Sequence, residues 1–163
     1  MTESGKLWKT IERELLSAQD IETIVLKSHL LVESQINAAL EFLIGLGIEK
    51  ARLSFVQKLE ILICIWPDLK RTRSSTEARS LYSEWKELNG IRNKIAHQLS
   101  TGGLRKLLID WVTGSLGYRL KTINRTAVLK RNFVKAVVFQ LGSFSGYSYV
   151  RKDLAKSLTP PKA

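Results

Sequence analysis

The chain has 163 residues, 44% of them hydrophobic and 25% charged, with one cysteine, two histidines and a formal charge of +11. That length is enough for one domain with a buried core, and a single cysteine excludes a disulfide framework. The charge is uneven: residues 119–163 hold ten Lys or Arg against Asp153 alone, so the body is nearly neutral and the C-terminal part strongly cationic, which points to a polyanion, nucleic acid first and an anionic membrane surface second.

Leu7, Trp8, Ile11 and Leu15 fall at helical spacing and predict a leading helix over 6–17. The first sixteen residues contain no uninterrupted apolar core of a signal peptide, and no later run approaches the ~18 residues of a membrane span. A soluble, cytoplasmic protein that does not enter membranes is expected. Asp20 is a natural N-cap for a long second helix over 20–46, closed by Gly45 and Gly47, in which His29, Glu33 and Asn37 recur every four residues on one face. A third helix over 49–66 is stopped by Pro67. It contains Cys64, read as a small core residue.

A polar connection over 68–75, basic at Lys70, Arg71 and Arg73, leads to a fourth helix capped by Ser75 or Thr76 and running to about Leu99. Gly90 inside it would allow another helix to come close. Thr101-Gly102-Gly103 reads as a turn, and a helical face restarts at Leu104, Leu107, Leu108, Trp111 and Val112 before weakening at Gly114 and Gly117. The next helix is expected over 121–141. Lys121, Arg125, Arg131 and Lys135 share an arc of about 120° on its wheel, opposite Ile123, Ala127, Val134, Val137 and Leu141. Phe144, Tyr147 and Tyr149 precede Arg151 and Lys152 in what reads as an aromatic and basic tail, partly flexible, over 144–163. With no strand alternation and no repeat, the expected fold is an all-α, up-and-down helical bundle, one domain over 1–143 with an additional C-terminal basic helix.

Chemistry concentrates in Leu88-Asn89-Gly90-Ile91-Arg92-Asn93-Lys94-Ile95-Ala96-His97-Gln98-Leu99. Asn93 and His97 lie one turn apart on one face, Ile91, Ile95 and Leu99 form an apolar stripe, and Arg92 carries a permanent, two-pronged cation. This Arg92-Asn93-x-x-Ala96-His97 arrangement resembles the R-x4-6-H signature of the HEPN superfamily of small helical proteins. The stretch 28–37, with Glu33 facing inward, and the stretch 54–59 resemble the helices that accompany that signature, so the resemblance covers residues 20–118.

The resemblance implies a HEPN-type bundle that binds RNA and cuts single strands without metal or cofactor, in the manner of toxin and defence nucleases. Arg92, Asn93 and His97 would be catalytic, with Glu33 and His29 supporting them. It further implies a homodimer in which two motifs face one groove, with the Arg92–His97 helix at the interface, and an antitoxin or regulatory protein as a further partner. A subgroup carries a modified Tyr two positions after the His; here that position is Leu99, so regulation of that type is not expected. Lys121, Arg125, Arg131, Lys135, Arg151 and Lys152 are the candidate RNA-binding cations. The competing reading is a non-catalytic helical interaction or regulatory module, in which Arg92 pairs with Glu33 while Asn93 and His97 close hydrogen bonds across a helix interface. His29 is read as a hydrogen-bonded structural residue.

Overall fold

The structure, a computed structural model, describes residues 3–45, 51–71, 79–97, 101–117 and 125–158; the side chains of 3–5, 101–102 and 146–158 are outside that description. Among the described residues all regular structure is helical. The six α-helices are α1 (Glu3–Leu16), α2 (Ile21–Ile44), α3 (Phe55–Ile65), α4 (Leu81–Ala96), α5 (Thr101–Leu116) and α6 (Thr126–Leu158), with a 3-10 turn at Pro67–Lys70. Each helix packs on the next in the chain, and α2 also contacts α4 and α6 while α1 contacts α6. The result is an all-helical bundle around one core.

Local chemistry sets most of the ends. The Asp20 carboxylate accepts from the Thr23 N–H at 2.6 Å, the main reason its pKa lies below the usual aspartate value, and Gly45 closes α2 in the left-handed region at φ 65°. Ser54 and Gln57 form a reciprocal capping box at the head of α3, so this helix begins at Phe55 rather than at the expected residue 49. Pro67, which has no N–H to give, opens the 3-10 turn. The cap of α4 is Ser80, whose hydroxyl accepts from the Ser83 N–H, not Ser75 or Thr76, which lie outside the described residues with Arg73.

Several expectations are corrected. Thr101-Gly102-Gly103 is the first turn of α5, not a loop. Cys64 is exposed, because Phe55, Leu59, Leu62 and Ile63 claim the inner face of α3 and Cys64 points away from it. Leu7, Ala38 and Ala127 are likewise exposed. Among the described residues nothing beyond its own stretch of helix lies within 4 Å of where a Cβ on Gly90 would stand, so the close approach expected there is not found; one is found at Gly114, where a Cβ would meet the Arg79 side chain at 2.6 Å.

The largest departure is α6, which runs 33 residues straight through the expected boundary at 143. Phe144, read as part of a tail, is 1% exposed. Its ring lies 4.9 Å from Trp85, edge to face, and 5.7 Å from Trp66. Leu141 and Phe144 continue the buried stripe of Val134 and Val137 at helical spacing, and that burial outweighs the cost of about 1 kcal/mol for a glycine such as Gly142 in a helix. The tail residues Tyr147, Tyr149, Arg151 and Lys152 are therefore helical, and 159–163 lie outside the described residues.

Phe144→Ala is expected to lower unfolding stability by about 3–5 kcal/mol, as for a buried aromatic truncated to Ala. Urea unfolding at unchanged m-value measures it. A loss under about 1 kcal/mol would mean the ring merely rests on the surface.

Candidate functional site

Three helices supply the polar residues singled out above. On α2, His29 is 4% exposed, with its ring 4.5 Å from that of Phe55 on α3. Its Nε2 stands 3.0 Å from Asn89 Oδ1 on α4. An amide oxygen only accepts, so the ring proton sits on Nε2 and the imidazole bridges α2 to α4. One turn on, Glu33 Oε1 accepts from Lys58 Nζ of α3 at 2.7 Å, with side-chain exposures of 26% for Glu33 and 9% for Lys58. A further turn along, Asn37 Oδ1 is buried without a hydrogen-bond partner among the described residues.

Glu33 thus takes its cation from α3. The expected Arg92–Glu33 pair is not formed: Arg92 is exposed, and its guanidinium donates to Asn93 Oδ1 at 3.0 Å. Asn93 and His97 are exposed as well, so the interface hydrogen bonds of the packing reading are absent among the described residues. His97 is the C-cap of α4. Its N–H donates to the Asn93 carbonyl at 3.1 Å, so the helix ends at the motif histidine, and residues 98–100 lie outside the described residues.

The structure therefore makes two groups of the five candidate residues. His29 and Glu33 belong to a buried-to-half-buried cluster with Asn89 and Lys58, while Arg92, Asn93 and His97 occupy the exposed last turns of α4. Arg92 bridges the groups electrically, since its charge acts on His29. Asn89 and Lys58 escaped the sequence reading, although both left a trace. Asn89 begins the four-residue series completed by Asn93 and His97, and Lys58 interrupts an otherwise apolar face between Phe55 and Leu62.

Of the candidate RNA-binding cations, Arg131 and Lys135 are exposed on α6, and Arg125 is exposed just before its first residue rather than within the helix expected from 121. Lys121 lies outside the described residues, and Arg151 and Lys152 fall on α6 where only the backbone is described. Lys130, off this face, donates to the Gln19 carbonyl and ties α6 to the turn before α2. Among the described residues no three of His, Cys, Asp and Glu gather as metal ligands, and no helix is long and apolar enough to cross a membrane. Comparison of the chain with family models, with curated proteins and with solved structures finds no match.

Burial lowers the pKa of His29 below the usual imidazole value. The Asn89 hydrogen bond and the Glu33 charge oppose that shift, and the Arg92 and Lys58 charges reinforce it. The unfolded chain then binds the proton more readily than the folded one. The stability due to a neutral, buried His29 is complete above about pH 6.5 and is lost as pH falls from there through the folded pKa. Melting temperature followed from pH 7.5 downward should show this decline in wild type and a flatter profile in His29→Gln, which keeps a donor for Asn89 but no titrating group. Parallel profiles would show that His29 does not titrate there.

Proposed function

We propose that this chain is a HEPN-like RNA-binding protein that cleaves single-stranded RNA without metal, acting as a homodimer in a toxin or defence role. The observation that carries the reading is that Arg92, Asn93 and His97 face solvent together at the end of α4 while Glu33 is satisfied by Lys58. A motif kept for packing would be engaged with the core.

In the proposed reaction the ribose 2′-OH loses its proton to a base and its oxygen attacks the adjacent phosphorus. The P–O5′ bond breaks, and an acid protonates the leaving oxygen. The products are a 2′,3′-cyclic phosphate and a 5′-OH. Imidazole is the side chain suited to both proton transfers near neutrality, and His97 is the exposed one. A single imidazole does not serve as base and acid in one turnover, so His97 of a second copy completes the pair. Arg92 clamps the charge that builds on the non-bridging oxygens, and Asn93, already bonded to Arg92, orients that clamp. Arg125, Arg131 and Lys135 track the flanking backbone, with Lys121, Arg151 and Lys152 extending the same role. An antitoxin or regulatory protein would cover the same solvent-facing turn.

Purified protein in EDTA should cut single-stranded RNA to fragments ending in a cyclic phosphate. His97→Ala should cost roughly 10²–10⁴-fold in rate. Its melting temperature should hardly move, since the residue is exposed. Arg92→Lys keeps the charge, loses the planar fork and should also cut poorly. Intact RNA together with a marked loss of melting temperature in His97→Ala would favour the non-catalytic module instead.

Replacing Arg125, Arg131 and Lys135 together by Gln should reduce the slope of log affinity against log salt for single-stranded RNA by about 2, at roughly 0.7 per phosphate contact. An unchanged slope would mean that this face is only solvated.

A further inference from the structure

Tyr82, Lys86, Gly90, Asn93 and His97 follow one another along α4 at steps of four, four, three and four, so they share an arc of about 80° on the helix wheel. Leu81, Leu88 and Ile91 turn the opposite way, into the core. The motif is thus one end of a polar stripe that runs back toward the start of the helix.

At the other end of the stripe two ammoniums gather on one ring. Lys70 of the 3-10 turn and Lys86 of α4 each place Nζ 5.5 Å from the Tyr82 ring centroid. The phenol donates to Glu60 Oε1 at 2.5 Å and accepts from Lys86 Nζ at 3.4 Å. Glu60 is engaged by the phenol, and among the described residues neither lysine forms an ion pair with a carboxylate. Both lysines are exposed. Midway along the stripe stands Gly90. Apart from proline, glycine is the residue a helix interior tolerates least, and among the described residues nothing beyond its own stretch of helix uses the space it leaves. The stripe therefore has a bare floor between a cationic end and the motif.

We propose that this stripe is the bed of a single strand of RNA, which lies over Gly90 with adjacent backbone phosphates held by Lys70 and Lys86 and the reacting phosphate at Arg92 and His97. The rise per residue sets Lys86 about 16 Å from His97 along the helix axis, so the lysines engage phosphates a few nucleotides from the bond that is cut. Ammoniums without a carboxylate partner recruit the phosphates, and the missing side chain at Gly90 admits the sugar–phosphate chain close to the helix backbone. The proposal deepens the ribonuclease reading and rests on it for the identity of the polyanion. It assigns binding residues on α4 and the 3-10 turn, separate from the cations of α6.

Fluorescence anisotropy tests it with a labelled 2′-O-methyl oligouridylate about 12 nucleotides long, long enough to cover the stripe and lacking the attacking hydroxyl. Wild type should bind it. K70Q/K86Q should bind more weakly and lower the slope of log affinity against log salt by about 1.4, at roughly 0.7 for each of two phosphates. Gly90→Gln should also weaken binding, yet hold or raise the melting temperature, since glutamine is a far better helix former. Glu60→Gln, which removes a negative charge beside Lys86, should tighten binding. A wild type that does not bind overturns the proposal, as does an unchanged affinity and salt slope in K70Q/K86Q or an unchanged affinity in Gly90→Gln. The ribonuclease reading fails separately. Binding through these residues with unmodified RNA left intact in EDTA sinks the cleavage reading alone, and a cleaving protein whose RNA affinity survives these substitutions sinks the α4 bed alone.

Discussion

Gln140 is fully buried near the middle of α6, and its amide is the polar pin of the bundle. Its Oε1 accepts from Trp85 Nε1 of α4 at 3.1 Å, and its Nε2 donates to Ser115 Oγ of α5 at 3.0 Å. A buried amide costs several kcal/mol if left unpaired, so this side chain admits one rotation of α6 relative to its two neighbours. Apolar contacts alone tolerate sliding; two directional bonds do not. With α4 held in that rotation, Leu88 and Ile91 turn inward, and Arg92 and Asn93, further round the same helix, are left to solvent.

A second polar layer does the same one turn further along α4. His29 and Asn89 tie α2 to α4, and Glu33 and Lys58 tie α2 to α3. Each partner comes from a different helix, so the layer fixes the arrangement of three helices without requiring any motif residue. Using Lys58 rather than Arg92 to satisfy Glu33 leaves the guanidinium at the surface. The pairing inside thereby determines what is available outside.

How much of this was legible in the sequence follows the range of the forces involved. The bounds of α2 rest on contacts within one turn, an Asp20 cap and a left-handed Gly45, and both were readable. The start of α4 was not: several Ser and Thr residues compete as caps, and Ser80 wins because Leu81, the residue after it, docks into the core. The length of α6 was misjudged because Phe144, Tyr147 and Tyr149 read with Arg151 and Lys152 as an aromatic and basic tail, whereas the apolar spacing from Val134 through Leu141 continues to Phe144. For the site, the polar series on α4 was visible in the chain. The partner of Glu33 was not, since charge content names eligible cations and only the packed rotation of α3 selects Lys58.

His97 is joined to Asn93 through the backbone, and Asn93 to Arg92 through side chains. The three groups are thus one mechanical unit, the closing turn of a helix, rather than independent side chains on a rigid wall. Terminal turns open at a small fraction of the free energy needed to unfold a core. When this turn frays, the His97 N–H leaves the Asn93 carbonyl, and the spacing of the three side chains is lost with the helical backbone that sets it. Its persistence is governed by helix-end melting at Ala96, a local equilibrium that temperature or a docked molecule shifts while Trp85 and its neighbours stay packed.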